Sequence, residues 1–199
     1  ADNYMNTVSN LIENAKSCTV KGIVGPWVHQ YPPTADPSPQ IGFLQEALRW
    51  WDKWLKGYET GVEDDPNYRI YLQDSIKPNR KTKHRPGKWI VEKNWPLSEI
   101  EMKRLHLSAY GTLSKNSDTL NCIIKSPANC GFGAGSYFPM SSSVPEQSGD
   151  QSVDDAYSVC FEQDPTTFPI DIVGRPKIKL ILKSNNTHGH LCARLCDVS

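Results

Sequence analysis

Hydrophobic positions along the chain fall into two regimes. Up to about residue 64 they recur at helical spacing or gather in one β-branched run; beyond it they alternate in short bursts. In residues 4–16, Val8, Leu11, Ile12 and Ala15 repeat at the 3.6-residue period and predict a helix. Cys18 to Val24 is a compact apolar run that stops at Gly25-Pro26 and predicts a buried strand. Pro32, Pro33, Pro37 and Pro39 make Gln30 to Gln40 an extended, rigid loop, because each proline fixes φ and lacks a donor. Ile41 to Lys56 (IGFLQEALRWWDKWLK) carries the clearest helical pattern in the chain. Leu44, Leu48, Trp51 and Leu55 form one apolar stripe, and Phe43, Ala47, Trp50 and Trp54 form a second beside it. Gln45, Arg49, Asp52 and Lys56 lie opposite, and Gly57 supplies the stop. A double apolar stripe predicts a helix covered on more than one side, with its tryptophans as packing residues.

A charged turn, Gly57 to Asn67, separates the regimes. After it, strand-like segments run at Tyr68–Gln73, Trp89–Glu92, Leu105–Tyr110, Asn121–Lys125, Ser158–Phe161, Ile178–Lys183 and Leu191–Leu195. Leu105, Leu107 and Ala109 alternate with polar positions, as do Ile178, Leu180 and Leu182, in the manner of half-buried antiparallel sheets. The pattern predicts α/β followed by all-β: residues 1–64 as the C-terminal portion of an α/β domain, and residues 65–199 as a partial β-sandwich or jelly roll. Ser126 to Ser152 is a long Ser-, Gly- and Pro-rich loop, whose glycines form no phosphate-binding fingerprint because no strand leads in and no helix leads out.

Composition narrows the function classes. Lys and Arg number 22 and so do Asp and Glu, so no electrostatic case for nucleic acid exists. No apolar run approaches the ~20 residues of a membrane span. The six cysteines include no C-x-x-C, which argues against a zinc site, and a reduced, cytosolic setting fits them better than a disulfide framework. Asn185-Asn186-Thr187 is a bare glycosylation sequon. The chain opens on Ala1-Asp2 with neither an initiator Met nor a signal peptide, and it is expected to be processed or to be a piece of a longer protein.

The chemistry concentrates where the apolar run ends. In open α/β sheets, ligands and catalytic groups gather at the carboxyl edge of the strands. His29 follows Gly25-Pro26-Trp27-Val28 at such an edge, and a histidine titrates near neutrality, which suits a general base. In α/β hydrolases the triad runs Ser, then Asp or Glu, then His; Asp2, expected on the preceding loop, would be the acid. No G-x-S-x-G elbow is present, and Gly135-Ser136-Tyr137 lacks the strand-turn-helix setting of one. His188-Gly189-His190 has no apparent third ligand, so no metal and no cofactor are expected.

The Gly25-Pro26-Trp27-x-His29 motif, the IGFLQEALRWWDKWLKG helix and Asp150-Gln151 with Asp154-Asp155-Ala156-Tyr157-Ser158 resemble the CocE/NonD family of serine hydrolases. That family includes Xaa-Pro dipeptidyl-peptidases, cocaine esterase and α-amino-acid ester hydrolases. Phe161 to Leu182, with Ile172-Val173-Gly174-Arg175-Pro176, resembles the start of their C-terminal jelly roll. The resemblance implies that His29 is the catalytic histidine, Asp2 the acid and Tyr4 an aromatic lining the acyl pocket, with the nucleophilic serine and oxyanion hole upstream. It also implies a small peptide or ester substrate, an internal fragment, and no catalysis by the fragment alone. The oligomeric state stays open. Two other readings compete: a β-sandwich binding module with Trp89, Trp95 and Tyr110 as an aromatic platform, and a hydrolase relative without activity.

Overall fold

The computed structural model describes residues 2–93, 95, 97–116, 119–135 and 147–198, with side chains from residue 7 onward. Helix α1 (Asp2–Asn14) leads into strand β1 (Gly22–Val24), and helix α2 (Phe43–Lys56) follows the proline loop. Strands β2 (Tyr68–Gln73) and β3 (Gly87–Glu92) complete a three-stranded sheet in the order β1-β2-β3. β1 pairs with β2 in parallel, Gly22 beside Tyr68 and Val24 beside Ile70. β2 pairs with β3 antiparallel, from Tyr68 opposite Glu92 to Gln73 opposite Gly87. This sheet joins residues on both sides of position 64.

The core sits on β2. Tyr68, Ile70 and Tyr71 are buried there, and Val62 and Ala35 are the other buried apolar residues among those described. Tyr71 stacks edge-on against its cross-strand neighbour Trp89, and Tyr68 against Trp95, each pair with ring centroids 5.1 Å apart. Such aromatic pairs contribute about 0.5–1.5 kcal/mol beyond the area they bury. α1 lies on β1 where the strand has no side chain. A Cβ on Gly22 would fall 2.6 Å from Val8 Cγ1 and 3.0 Å from Ile12 Cδ1. Leu11, assigned by periodicity to the same stripe, faces outward.

α2 reverses the expected orientation. None of its residues is buried, and Leu44, Leu48, Trp51 and Leu55 are 53–74% exposed. Trp51 and Trp54 are therefore not core residues within this chain. Long-range ion pairs on the other face are the cause. Glu46 meets Arg69 of β2 at 2.9 Å, Arg49 meets Asp65 at 3.0 Å, and Lys53 meets Glu63 at 2.6 Å and Glu59 at 3.0 Å. The turn over residues 59–65 thus holds the charged face of the helix and leaves the apolar stripe outward. Gly57 ends α2 in the left-handed conformation (φ 74°), with the Gly57 N–H bonded to Lys53 O and the Tyr58 N–H to Asp52 O.

The chain beyond β3 is less regular. β4 (His106–Leu107) and β5 (Leu113–Ser114) form a hairpin, and Glu162 joins its edge through Leu113 N–H to Glu162 O (2.7 Å) and Glu162 N–H to Gly111 O (2.9 Å). A 3₁₀ turn (Phe132–Ala134) and the four-residue helix α3 (Ser152–Asp155) follow. The strands expected at Asn121–Lys125, Ile178–Lys183 and Leu191–Leu195 are not formed, and Ile123, Ile178, Ile181, Leu191 and Leu195 stand exposed. Alternation marks a face, but a strand needs a hydrogen-bonded neighbour, and these segments have none among the described residues. The strand expected at Ser158–Phe161 is not formed either; a single bridge lies just beyond it at Glu162. Mixed small sheets with few helices are what the described residues show. No helix among them is long and apolar enough to cross a membrane.

Candidate functional site

The turn after β1 is built from the backbone outward. Val28 N–H closes it onto Pro26 O at 3.0 Å, and Pro26 is buried. Trp27 folds back over Gly25, where a Cβ would lie 2.6 Å from the indole ring, so the position takes glycine. The Trp27 indole N–H donates to Pro39 O at 2.6 Å, and its ring lies 6.0 Å from that of Trp89 on β3. Trp27 therefore ties the strand end, the proline loop and the sheet together. His29 emerges exposed two residues later.

The proline loop is not extended throughout, since the Thr34 N–H closes a turn onto Tyr31 O at 3.0 Å, and backbone bonds tie it to residues 83–85. Ser38 N–H donates to Lys83 O (2.8 Å) and Arg85 N–H to Ser38 O (2.9 Å). Ser38 Oγ and His84 Nδ1 share a hydrogen bond of 2.8 Å on the surface. Gln30 Oε1 accepts from the Asp36 N–H at 3.1 Å, and Ala35 is fully buried beneath. The residue after His29 thus caps the loop that frames it.

Asp2 opens α1 and does not lie in the expected loop; Tyr4 is in the same first turns. Their side chains lie outside the described residues, as do Ser136 and Tyr137. Among the described residues no group of three or more His, Cys, Asp and Glu is placed to hold a metal ion. The aromatic platform is not assembled. Trp89 packs on Tyr71 and Trp27, Trp95 packs on Tyr68, and Tyr110 alone projects into solvent.

Sequence reasoning found the Asp154 motif but not its work. Asp154 is 5% exposed, and its carboxylate accepts the Gly131 N–H at 2.8 Å and the Gly133 N–H at 2.7 Å. These amides hold the carboxyl below the usual carboxylate range. Asp155 and Gln151 bind the Arg194 guanidinium at 2.6 and 2.7 Å, and Ser158 Oγ donates to Asp154 O at 2.7 Å. One short helix therefore clamps a glycine loop on one side and the C-terminal segment on the other. The signal was legible: Gly131-x-Gly133 supplies bare amides, and the motif supplies adjacent carboxylates.

Residues 60–199 match the family described as the X-Pro dipeptidyl-peptidase C-terminal non-catalytic domain. The match begins in the turn that holds α2 and includes β2, β3, the hairpin and the Asp154 clamp; His29, Asp2 and Tyr4 precede it. No curated protein and no solved structure matches the chain. With well over half of its length accounted for by that one match, the chain belongs to the X-Pro dipeptidyl-peptidase C-terminal domain family.

Proposed function

We propose that this chain is part of a serine hydrolase that cleaves Xaa-Pro dipeptidyl or ester bonds through an acyl-enzyme. The observation that carries the reading is the strand-turn-histidine unit at Gly22–His29, hydrogen-bonded to the first strand of the family-matched region. In this reading residues 1–64 close an α/β-hydrolase domain and residues 65–199 open a β-sandwich. His29 accepts the proton of a serine supplied by a Gly-x-Ser-x-Gly elbow upstream and returns it to the leaving group. Asp2 accepts a hydrogen bond from the imidazole and stabilises its protonated form, while Tyr4 lines the acyl pocket. The outward stripe of α2 supports the same reading. Leu44, Leu48, Trp51 and Leu55 form a contiguous apolar face that a larger α/β layer would cover.

The test is fluorophosphonate labelling of a protein that carries this chain together with such an elbow. Labelling that is lost in His29→Ala and reduced in Asp2→Asn is the expected result, with Xaa-Pro dipeptide amides and aryl esters then compared as substrates. A folded wild type that takes no label overturns the hydrolase reading. The family's non-catalytic description favours the second reading, an interaction module, which that outcome would bring forward.

A further inference from the structure

The three-stranded sheet ends on β3, and no strand among the described residues lies beside its second edge. Which backbone groups face that edge follows from the ladder with β2. Asp74 N–H donates to Pro86 O at 2.9 Å, and this pair continues the register that sets Ile70 opposite Ile90. Opposed residues of an antiparallel pair alternate between bonded and non-bonded, so Lys88, Ile90 and Glu92 bond to β2. Trp89 and Val91 then turn their N–H and C=O groups to the open edge, where no backbone group of another described residue meets them.

The side chains of β3 are disposed symmetrically about Ile90. Lys88 and Glu92 stand two residues to either side of it on one face, and Trp89 and Val91 one residue to either side on the other. Val91 is 56% exposed, although it is an apolar residue inside a strand. Lys88 meets Asp171 at 3.2 Å with both side chains 60% or more exposed, the kind of ion pair that contributes little and yields readily. Charge of one sign along an edge repels a second copy, whereas opposite signs at equivalent positions attract one.

We propose that β3 pairs antiparallel with β3 of a second copy of this chain, about a two-fold axis at Ile90, and so joins the two sheets into one. Lys88 then lies opposite Glu92 of the second copy and Trp89 opposite Val91, and the symmetry repeats each pair. Trp89 and Val91 of the two copies exchange N–H···O bonds with the groups already turned outward. Lys88 and Glu92 fall at the non-bonded positions, where side chains come closest. Moving the axis to Trp89 or Val91 would set Lys88 or Glu92 opposite Ile90 and leave the charges unpaired, so the sequence selects one register. β1, the outer strand at the other end, offers three residues and no charge. None of these residues belongs to the turn at His29, so the proposal does not rest on the hydrolase reading. Two six-residue strands bury less than the ~1,200 Å² of a standard interface, so the dissociation constant should be about 50 μM.

The test is sedimentation velocity of the full chain from about 1 to 500 μM at low salt, with a reductant present so that the exposed cysteines form no intermolecular bonds. The wild type should pass from monomer to dimer across this range. Lys88→Glu and Glu92→Lys each set like charges opposite one another at both ends of the pairing and should weaken the dimer about tenfold. The double variant Lys88→Glu/Glu92→Lys exchanges the charges and should restore it, although the contact with Asp171 stays lost. Far-ultraviolet circular dichroism checks that each variant is folded. A wild type that stays monomeric to 500 μM overturns the proposal, whatever the variants do. A dimer that is indifferent to both single reversals, as one formed through the apolar stripe of α2 would be, overturns it as well, and so does a folded double variant that fails to recover.

Discussion

The two faces of α2 make opposite demands on a substitution. Arg49 reaches Asp65 through two bonds of 3.0 and 3.2 Å, with its side chain 40% exposed and that of Asp65 25%. A fully buried bond to a charged group contributes about 1.5–3 kcal/mol, and an exposed ion pair about 0.2–1 kcal/mol. Partial exposure puts this contact between them, at about 1.5 kcal/mol. Arg49→Met keeps helix propensity and removes the fork, so it should lower the melting temperature by about 3–6 °C for a chain of this length. Leu48→Gln also keeps propensity, but Leu48 is 57% exposed, and the change should stay within about 0.5 kcal/mol. The assay is thermal and urea unfolding of the chain followed by far-ultraviolet circular dichroism, with Asp65→Asn added to close a double-mutant cycle. Coupling between Arg49 and Asp65 should come out near 1 kcal/mol. If Leu48→Gln costs more than Arg49→Met, or the cycle shows no coupling, then the helix packs through its apolar stripe and the orientation argued here is refuted.

Other substitutions read other joints. Gly22→Ala would push a methyl into Val8 and Ile12, and the overpacking should cost about 1–3 kcal/mol in the same urea assay. Gly57→Ala meets open space but must adopt φ 74°, so it should cost about 1 kcal/mol with no change in the slope of the transition. For Asp154, the depressed carboxyl means that the clamp is intact above the ordinary value of 3.8 and is lost as pH falls through the lower folded-state value. The Gly131 and Gly133 amide resonances should therefore titrate together below 3.8, and a midpoint at or above that value would count against the clamp. Asp154→Asn should raise exchange of those two amides by about tenfold, measured by hydrogen exchange at neutral pH.

Periodicity was enough to read the elements that carry their own punctuation. Tyr68–Gln73 appears as a strand with the bounds its β-branched and aromatic run predicts, and α2 ends at Lys56 before Gly57. The strand before Gly25-Pro26 exists but is shorter than its apolar run, Gly22–Val24 only, because the chain before it turns to leave α1. Which face of α2 points inward was not legible. That choice depends on Asp65, Glu63 and Arg69, charges outside the helix whose positions no periodicity encodes. The late strands failed for a related reason: Ile178, Leu180 and Leu182 alternate, yet alternation names no neighbour. At the site, the glycine, proline and tryptophan before His29 were legible as a turn. The Trp27 bond to Pro39 was not, since it links residues on opposite sides of a loop.

The pairing of β1 with β2 bears on where the chain can be cut. The family match begins at residue 60, yet β2 takes its parallel neighbour from residues 22–24. Lys21 Nζ reinforces that join by reaching back to Glu63 O at 2.9 Å and Asn67 Oδ1 at 3.1 Å, while Gly22 N–H donates to Asn67 O at 2.8 Å. A gene product trimmed to the matched region would bare one edge of β2, a row of amides and carbonyls ready to recruit a strand from another molecule. Expression boundaries drawn from family limits alone would thus bare that edge, and boundaries that keep α1 and β1 would leave it paired.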